Sequence, residues 1–99
     1  MTTGFHSLRI PDETAALIRG MHPELKKKIK SGLKIILEEP HAGKLLRYEL
    51  SGLRSFRVSS FRIIYRVVGK YVEIIAIGAR IRIYEETYRL LRKNKHLNP

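Results

Sequence analysis

The chain has no cysteine, only four prolines and only nine acids among its 99 residues. Without cysteine there are no disulfides and no thiolate metal ligands, a usage expected of a cytoplasmic protein. No run of about 18 apolar residues occurs, so no membrane-spanning helix is expected. Met1-Thr2-Thr3-Gly4-Phe5-His6 lacks a charged stretch followed by an apolar one, and no secretory signal is read there. His6, His22, His41 and His96 are scattered, with no two at helical i, i+4 spacing. They suggest neither a metal site nor a histidine pair for catalysis, and no cofactor is anticipated.

Positive charge is what the chain has in excess. Twenty Lys/Arg against nine Asp/Glu give a formal charge of +11. Residues 1–43 hold seven basic and five acidic side chains, whereas residues 44–99 hold thirteen against four. The second half therefore carries the electrostatic footprint of a nucleic-acid binder, or of a partner for an acidic protein. A hydrophobic content of 43% supports one modest core. One domain over residues 1–99 is expected, with tails at 1–6 and 94–99.

The stretch from Leu50 to Val67 organises the chain. Leu53, Phe56, Val58, Phe61, Ile63, Tyr65 and Val67 suit two half-buried strands joined by a tight turn at Ser59-Ser60. Arg54, Arg57, Arg62 and Arg66 are planted along both, and arginine is a rigid, permanently charged fork suited to phosphate or carboxylate. Tyr65 is expected to face the core. Upstream, Ser7–Ile10 reads as a first strand closed by Pro11, and Asp12-Glu13 start a short helix that Gly20 ends as a C′ residue. Pro23 opens a longer helix with an apolar stripe at Leu25, Ile29, Leu33, Ile36 and Leu37. Lys26, Lys27, Lys28, Lys30 and Lys34 occupy its other faces, and Pro40 stops it. Downstream, Gly69-Lys70 is a hairpin turn. Tyr71–Gly78 is nearly continuous in apolar residues and reads as the central strand. Arg80–Tyr84 either continues it or turns into helix, and Glu85–Lys93 is a terminal helix with acids early and bases late. Helices followed by successive strands predict an α+β domain: two N-terminal helices packed on a small antiparallel sheet, then a short C-terminal helix.

These blocks resemble the RelE/ParE superfamily of toxins from type II toxin–antitoxin systems. The resemblance rests on Gly52-Leu53-Arg54-Ser55-Phe56-Arg57-Val58, Phe61-Arg62-Ile63-Ile64-Tyr65-Arg66-Val67, Ile75-Ala76-Ile77-Gly78-Ala79-Arg80 and Tyr84, and it extends over about residues 7–93. It implies a microbial-RNase-like fold and neutralisation by a cognate antitoxin protein. One branch, the RelE-like, cuts mRNA on the ribosome as an mRNA interferase; another, the ParE-like, inhibits DNA gyrase without nuclease chemistry.

Metal-independent RNA cleavage needs a group to take the 2′-hydroxyl proton, cations to steady the pentavalent phosphate, and an acid for the leaving oxygen. The resemblance to the nuclease branch assigns catalytic roles to Arg57, Arg62, Arg80 and Tyr84, with Tyr88 a competitor for the last. Lys44, Arg54, Arg66 and Arg82 are the expected further RNA contacts. The RelE-like branch is favoured, with ribosome and mRNA as partners; a ParE-like gyrase inhibitor acting through Tyr84–Lys93 is the alternative.

Overall fold

The computed structural model describes residues 6–80 and 82–97, the last four as helical backbone alone. Breakers and caps divide the first forty residues where the sequence places them. β1 (Ser7–Arg9) ends before Pro11, and α1 (Asp12–Arg19) follows with Asp12 and Glu13 in its first turn. Gly20 closes α1 at φ −87°, a right-handed conformation and not the left-handed cap expected there. The Met21 N–H bonds to the Ile18 carbonyl, so the chain keeps turning into the next helix. α2 (Pro23–Glu38) starts with its proline at the first helical position, and His22 Nδ1 accepts the Glu24 N–H at 3.2 Å. That histidine is thereby a helix cap.

α2 buries Ile29, Leu33 and Ile36, while Lys27, Lys28, Lys30 and Lys34 are exposed. Gly32 is buried as well. A Cβ there would stand 2.8 Å from Val58 Cγ2 and 3.3 Å from Phe56 Cε2, so its absence lets the helix lie directly on the sheet.

Beyond Pro40 come β2 (Lys44–Leu45), a 3-10 turn (Tyr48–Leu50), β3 (Arg54–Val58), β4 (Phe61–Val68), β5 (Tyr71–Ala79) and α3 (Ile83–Leu97). The two-residue β2 and the 3-10 turn are not legible in the sequence. The strands form one sheet in the order β1-β5-β4-β3-β2. Three of its four pairings are antiparallel, but β1 runs parallel to β5, which makes the sheet mixed. β4, rather than β5, is the middle strand, because β1 adds to the outer edge of β5. Ser59 at φ 58° and Gly69 at φ 59° turn the two hairpins.

The register of β4 on β5 slips by one residue: Ile64 pairs with Ala76 but Tyr65 with Ile74, leaving Ile75 as a bulge. Val72, Ile74 and Ile77 thus join α1 and α2 in one core, while Ile75 and Ala76 pack with Leu53, Ile64, Ile83 and Leu91 in a second. The fold is α+β as expected. α3 covers the face opposite α1 and α2, since the second apolar set of β4 and β5 needs its own cover. It begins at Ile83 and reaches Leu97, longer than the short helix predicted and displacing most of the tail expected from residue 94. Residues 1–5 and 98–99 of the expected tails lie outside the described residues. No described helix is long and apolar enough to cross a membrane.

Gly32→Leu should reduce the unfolding free energy by at least the ~1–3 kcal/mol typical of overpacking, because Val58 is stiff and buried. Gly20→Ala, at an ordinary φ with its nearest contact at 3.7 Å, should leave stability unchanged or raise it by up to ~1 kcal/mol. Urea unfolding with an unchanged slope and shifted midpoints checks both.

Candidate arginine-lined site

Strand pairing decides which basic side chains meet. Arg57 pairs with Arg62, Ser55 with Ile64, Lys44 with Ser55 and Gly78 with Arg62. Directly paired residues share a face. Ile64 lies in the core under α3, so Lys44, Ser55, Arg57 and Arg62 all belong to the α3 face. Gly78, beside Arg62, lets α3 pack directly on the sheet; a Cβ there would meet Ile83 Cδ1 at 2.9 Å and Glu86 Oε1 at 3.3 Å.

Ser55, only 2% exposed, is the hub. Its Oγ accepts from Arg62 Nη1 at 3.0 Å and shares a 3.2 Å hydrogen bond with the Tyr84 hydroxyl. The Arg62 guanidinium carbon stands 6.0 Å from the Tyr84 ring centroid. Arg62 Nε is buried without a protein hydrogen-bond partner. A buried charged donor left unsatisfied is costly, so the position is suited to an anion. The ion pairs among the described residues, Arg66–Glu73 and Arg89–Glu85, do not involve Arg57, Arg62 or Arg80.

Next to this cluster is an open cleft of about 830 Å³ lined by Arg57, Ser59, Ser60, Ala79 and Arg80. Arg57 Nε donates to the Ser59 carbonyl at 3.2 Å, and the Arg80 N–H to the Ser60 carbonyl at 3.0 Å. The β3–β4 turn and the chain leaving β5 are thereby tied at one end of the sheet. Arg57, Arg62, Arg80 and Tyr84 come from four separate segments and gather on one face.

The remaining expected contacts divide. Lys44 is exposed across from Ser55, and Arg66 shares the Arg62 face but is held by Glu73 at 2.7 Å. Arg82 is exposed in the turn before α3. Arg54 is different. It pairs with Tyr65, on the α2 face, and its Nη1 donates to the carbonyls of Gly43 at 2.8 Å and His41 at 3.4 Å. Its guanidinium holds the chain's own backbone, away from the other arginines. Tyr88 lies one turn beyond Tyr84 and faces Arg92 at 5.6 Å, so Tyr84 is the tyrosine that the geometry brings to the cluster. His41 contributes a carbonyl and His22 a cap. Among the described residues no three His, Asp or Glu side chains converge as a metal site.

Ser55 was missed in the sequence as the member that joins this cluster. The signal was a small hydroxyl at an inward register position between Leu53 and Arg57, and only the pairing shows what it binds. Tyr65 is fully buried, as expected of a core residue, but it is also a clasp: its hydroxyl accepts the Gly43 N–H at 2.8 Å and donates to the Pro40 carbonyl at 2.7 Å. With Arg54 it fixes the loop that presents Lys44.

These features define a class: a mixed five-stranded sheet with arginines and a tyrosine converging on one face and helices on both. The family model described as the ParE toxin of the type II toxin–antitoxin system parDE matches residues 8–84, and the chain belongs to this family, within the RelE/ParE superfamily of toxins. No curated protein sequence matches it. Solved structures share the fold. A mutant of the E. coli toxin RelE in the free state superposes with a TM-score of 0.70 at 21% identity, covering 90% of this chain and 96% of that one. The toxin–antitoxin complex RelBE2 of Mycobacterium tuberculosis gives 0.67 at 24% identity over 76% of this chain and 98% of that one. A chromosomal ParDE system of P. aeruginosa gives 0.60 at 21% over 76% and 96%. RelE and ParE structures thus match at similar identity.

Tyr65→Phe should cost about 1–3 kcal/mol, because the Gly43 N–H and Pro40 carbonyl lose their partner. Desolvation by burial is the largest influence on the Tyr65 hydroxyl; it raises the pKa above the ordinary 10.0 against the lowering effects of the Gly43 N–H and Arg54. A raised folded pKa contributes stability that is present below pH 10.0 and lost as pH climbs through the folded value. Urea midpoints followed from neutral pH to above 10.0 should fall in the wild type and lose that Tyr65 component in Tyr65→Phe.

Proposed function

We propose that this type II toxin is a ribosome-dependent endoribonuclease, an mRNA interferase of the RelE-like kind, neutralised by a cognate antitoxin in the cytoplasm. The observation that carries this reading is the Arg62–Ser55–Tyr84 cluster with the buried, unpartnered Arg62 Nε. A guanidinium already held in place by one hydrogen bond, with a further N–H unspent, is pre-organised for a phosphate oxygen.

In the proposed reaction the ribose 2′-hydroxyl gives its proton to water as its oxygen attacks phosphorus, and the bond to the 5′-oxygen of the next nucleotide breaks. The products are a 2′,3′-cyclic phosphate and a free 5′-hydroxyl. Arg62 and Arg80 stabilise the extra negative charge of the pentavalent phosphate, and Arg57 at the cleft wall adds a third cation. Tyr84, hydrogen-bonded to Ser55 beside Arg62, gives its proton to the departing 5′-oxygen and regains one from water. Lys44, Arg66 and Arg82 hold flanking phosphates, with Arg66 shared by Glu73. Arg54 contributes through the loop and not by touching RNA. Solved relatives such as RelBE2 of Mycobacterium tuberculosis, RelBE of E. coli and RelE–RelB of Pyrococcus horikoshii OT3 are complexes with antitoxins, which supports a cognate antitoxin for this chain.

A ParE-like gyrase inhibitor is the second reading, favoured by the description of the matching family model. In that case the exposed part of α3 from Glu85 to Lys93 makes the contacts and the arginine cleft has no chemical task. Expression without antitoxin, followed by pulse labelling, separates the two. The nuclease reading expects methionine incorporation to collapse within minutes while thymidine incorporation continues. Arg62→Ala and Arg80→Ala should each lower cleavage by about 10²–10³-fold, the usual cost of one transition-state charge stabiliser, and relieve growth arrest with urea midpoints retained. Early loss of thymidine incorporation, or full toxicity of both variants, rejects it.

A further inference from the structure

The outer edge of the sheet beside the cleft holds a second hollow. β2 pairs with β3 only at Arg54 and Ser55, so among the described residues Phe56, Arg57 and Val58 have no strand on that side. α2 lies over this edge, brought close by Gly32. Between them is an open hollow of about 420 Å³ whose apolar lining is Gly32, Ile35, Phe56 and Val58. Ile35 is 45% exposed there, an apolar side chain left in water with room beside it. Lys27 and Lys28 border the same hollow, and both are exposed. Arg57 belongs to both spaces: it lines the cleft with Arg80 and the hollow with the two lysines. No carboxylate lines either, and the ion pairs among the described residues involve none of these four cations.

We propose that this hollow is a second RNA subsite. It rests on the endoribonuclease reading and deepens it. A single strand whose scissile phosphate lies against Arg62 and Arg80 continues past Arg57 round the end of β3. It sets an unstacked base on the apolar floor and its phosphates on Lys27 and Lys28. The chemistry suits a nucleotide: an apolar floor with an aromatic side chain accepts the face of any base, and lysines accept phosphate from many directions. An extended acidic peptide fits less well. Three edge residues are fewer than the five or so of an ordinary strand, so strand addition gains little main-chain pairing there. The lysines of α2, which on sequence alone are most simply a solvated helix face, thereby acquire a ligand.

Binding of a short fluorescein-labelled single-stranded RNA, measured by anisotropy across a salt series, tests this. Lys27→Ala/Lys28→Ala should weaken binding about tenfold at moderate salt and flatten the slope of log affinity against log salt by about 1.4, two phosphates at roughly 0.7 each. Ile35→Glu, an exposed position, should weaken binding with the circular dichroism spectrum and urea midpoint unchanged. Lys34→Ala, on the same helix but outside the hollow, should bind as the wild type does. If the hollow variants keep wild-type affinity and slope while Arg62→Ala loses binding, the second subsite is wrong and the endoribonuclease reading stands. If the wild type neither binds this RNA nor cleaves mRNA when purified ribosomes are supplied, both fall. If the hollow variants retain RNA but lose a purified antitoxin, the hollow takes an acidic protein segment and the proposal is overturned.

Discussion

The pairing of β4 with β5 is the constraint on which the rest of this structure depends. Its eight rungs include one slip, at Ile75, and that slip decides which side chains reach which face. Before it, Val72 and Ile74 alternate into the core under α1 and α2; after it, Ala76 and Ile77 serve opposite cores. A single residue of offset would otherwise send a whole apolar set to the wrong face. Because both faces of β4 and β5 are apolar, two covers are required. The helical hairpin supplies one and α3 the other.

The site follows from that arrangement. α3 must cross the sheet to cover Ile64 and Ala76, and its first turn therefore brings Tyr84 over Ser55 and Arg62. The same hydroxyl of Ser55 touches both groups, so a buried polar position on β3 becomes the junction between a cation on β4 and a phenol on α3. Arg62 retains one buried N–H with no partner in the protein, a condition that a stability-driven core would avoid and that an anion-binding site uses. On the opposite face Arg54 and Tyr65 satisfy backbone groups of the loop at 40–43. Two arginines three rungs apart on one hairpin thus differ: one builds the loop and the other keeps an N–H with no partner in the protein.

Charge is distributed in the same sense. Of the basic residues in 44–99, Arg57 and Arg80 line the cleft, while Arg66 is paired with Glu73 and Arg89 with Glu85. The lysines of α2 sit at the far side of β3, and Arg57 bridges the two populations at the edge of the sheet. Positive potential is thereby continuous round the end of the sheet near Ser59 and Ser60.

Local physics made much of the chain legible in advance. Pro11, Pro23 and Pro40 bound the helices, the stripe from Leu25 to Leu37 marks the buried face of α2, and Gly69 and the Ser59-Ser60 pair turn the hairpins. The concentration of arginine on the two strands already indicated a polyanion or an acidic protein. What the residues could not show by themselves was long-range pairing. Arg54 and Arg62 look alike in sequence, yet cross-strand register puts them on opposite faces. Ser55 has no meaning until Arg62 and Tyr84 arrive from seven and twenty-nine residues away. Tyr84 and Tyr88 are equivalent candidates until α3 crosses the sheet and turns one of them toward Ser55. Helix limits and turns are set by neighbours along the chain; partners across a sheet are set by register, and register exists only in the tertiary structure.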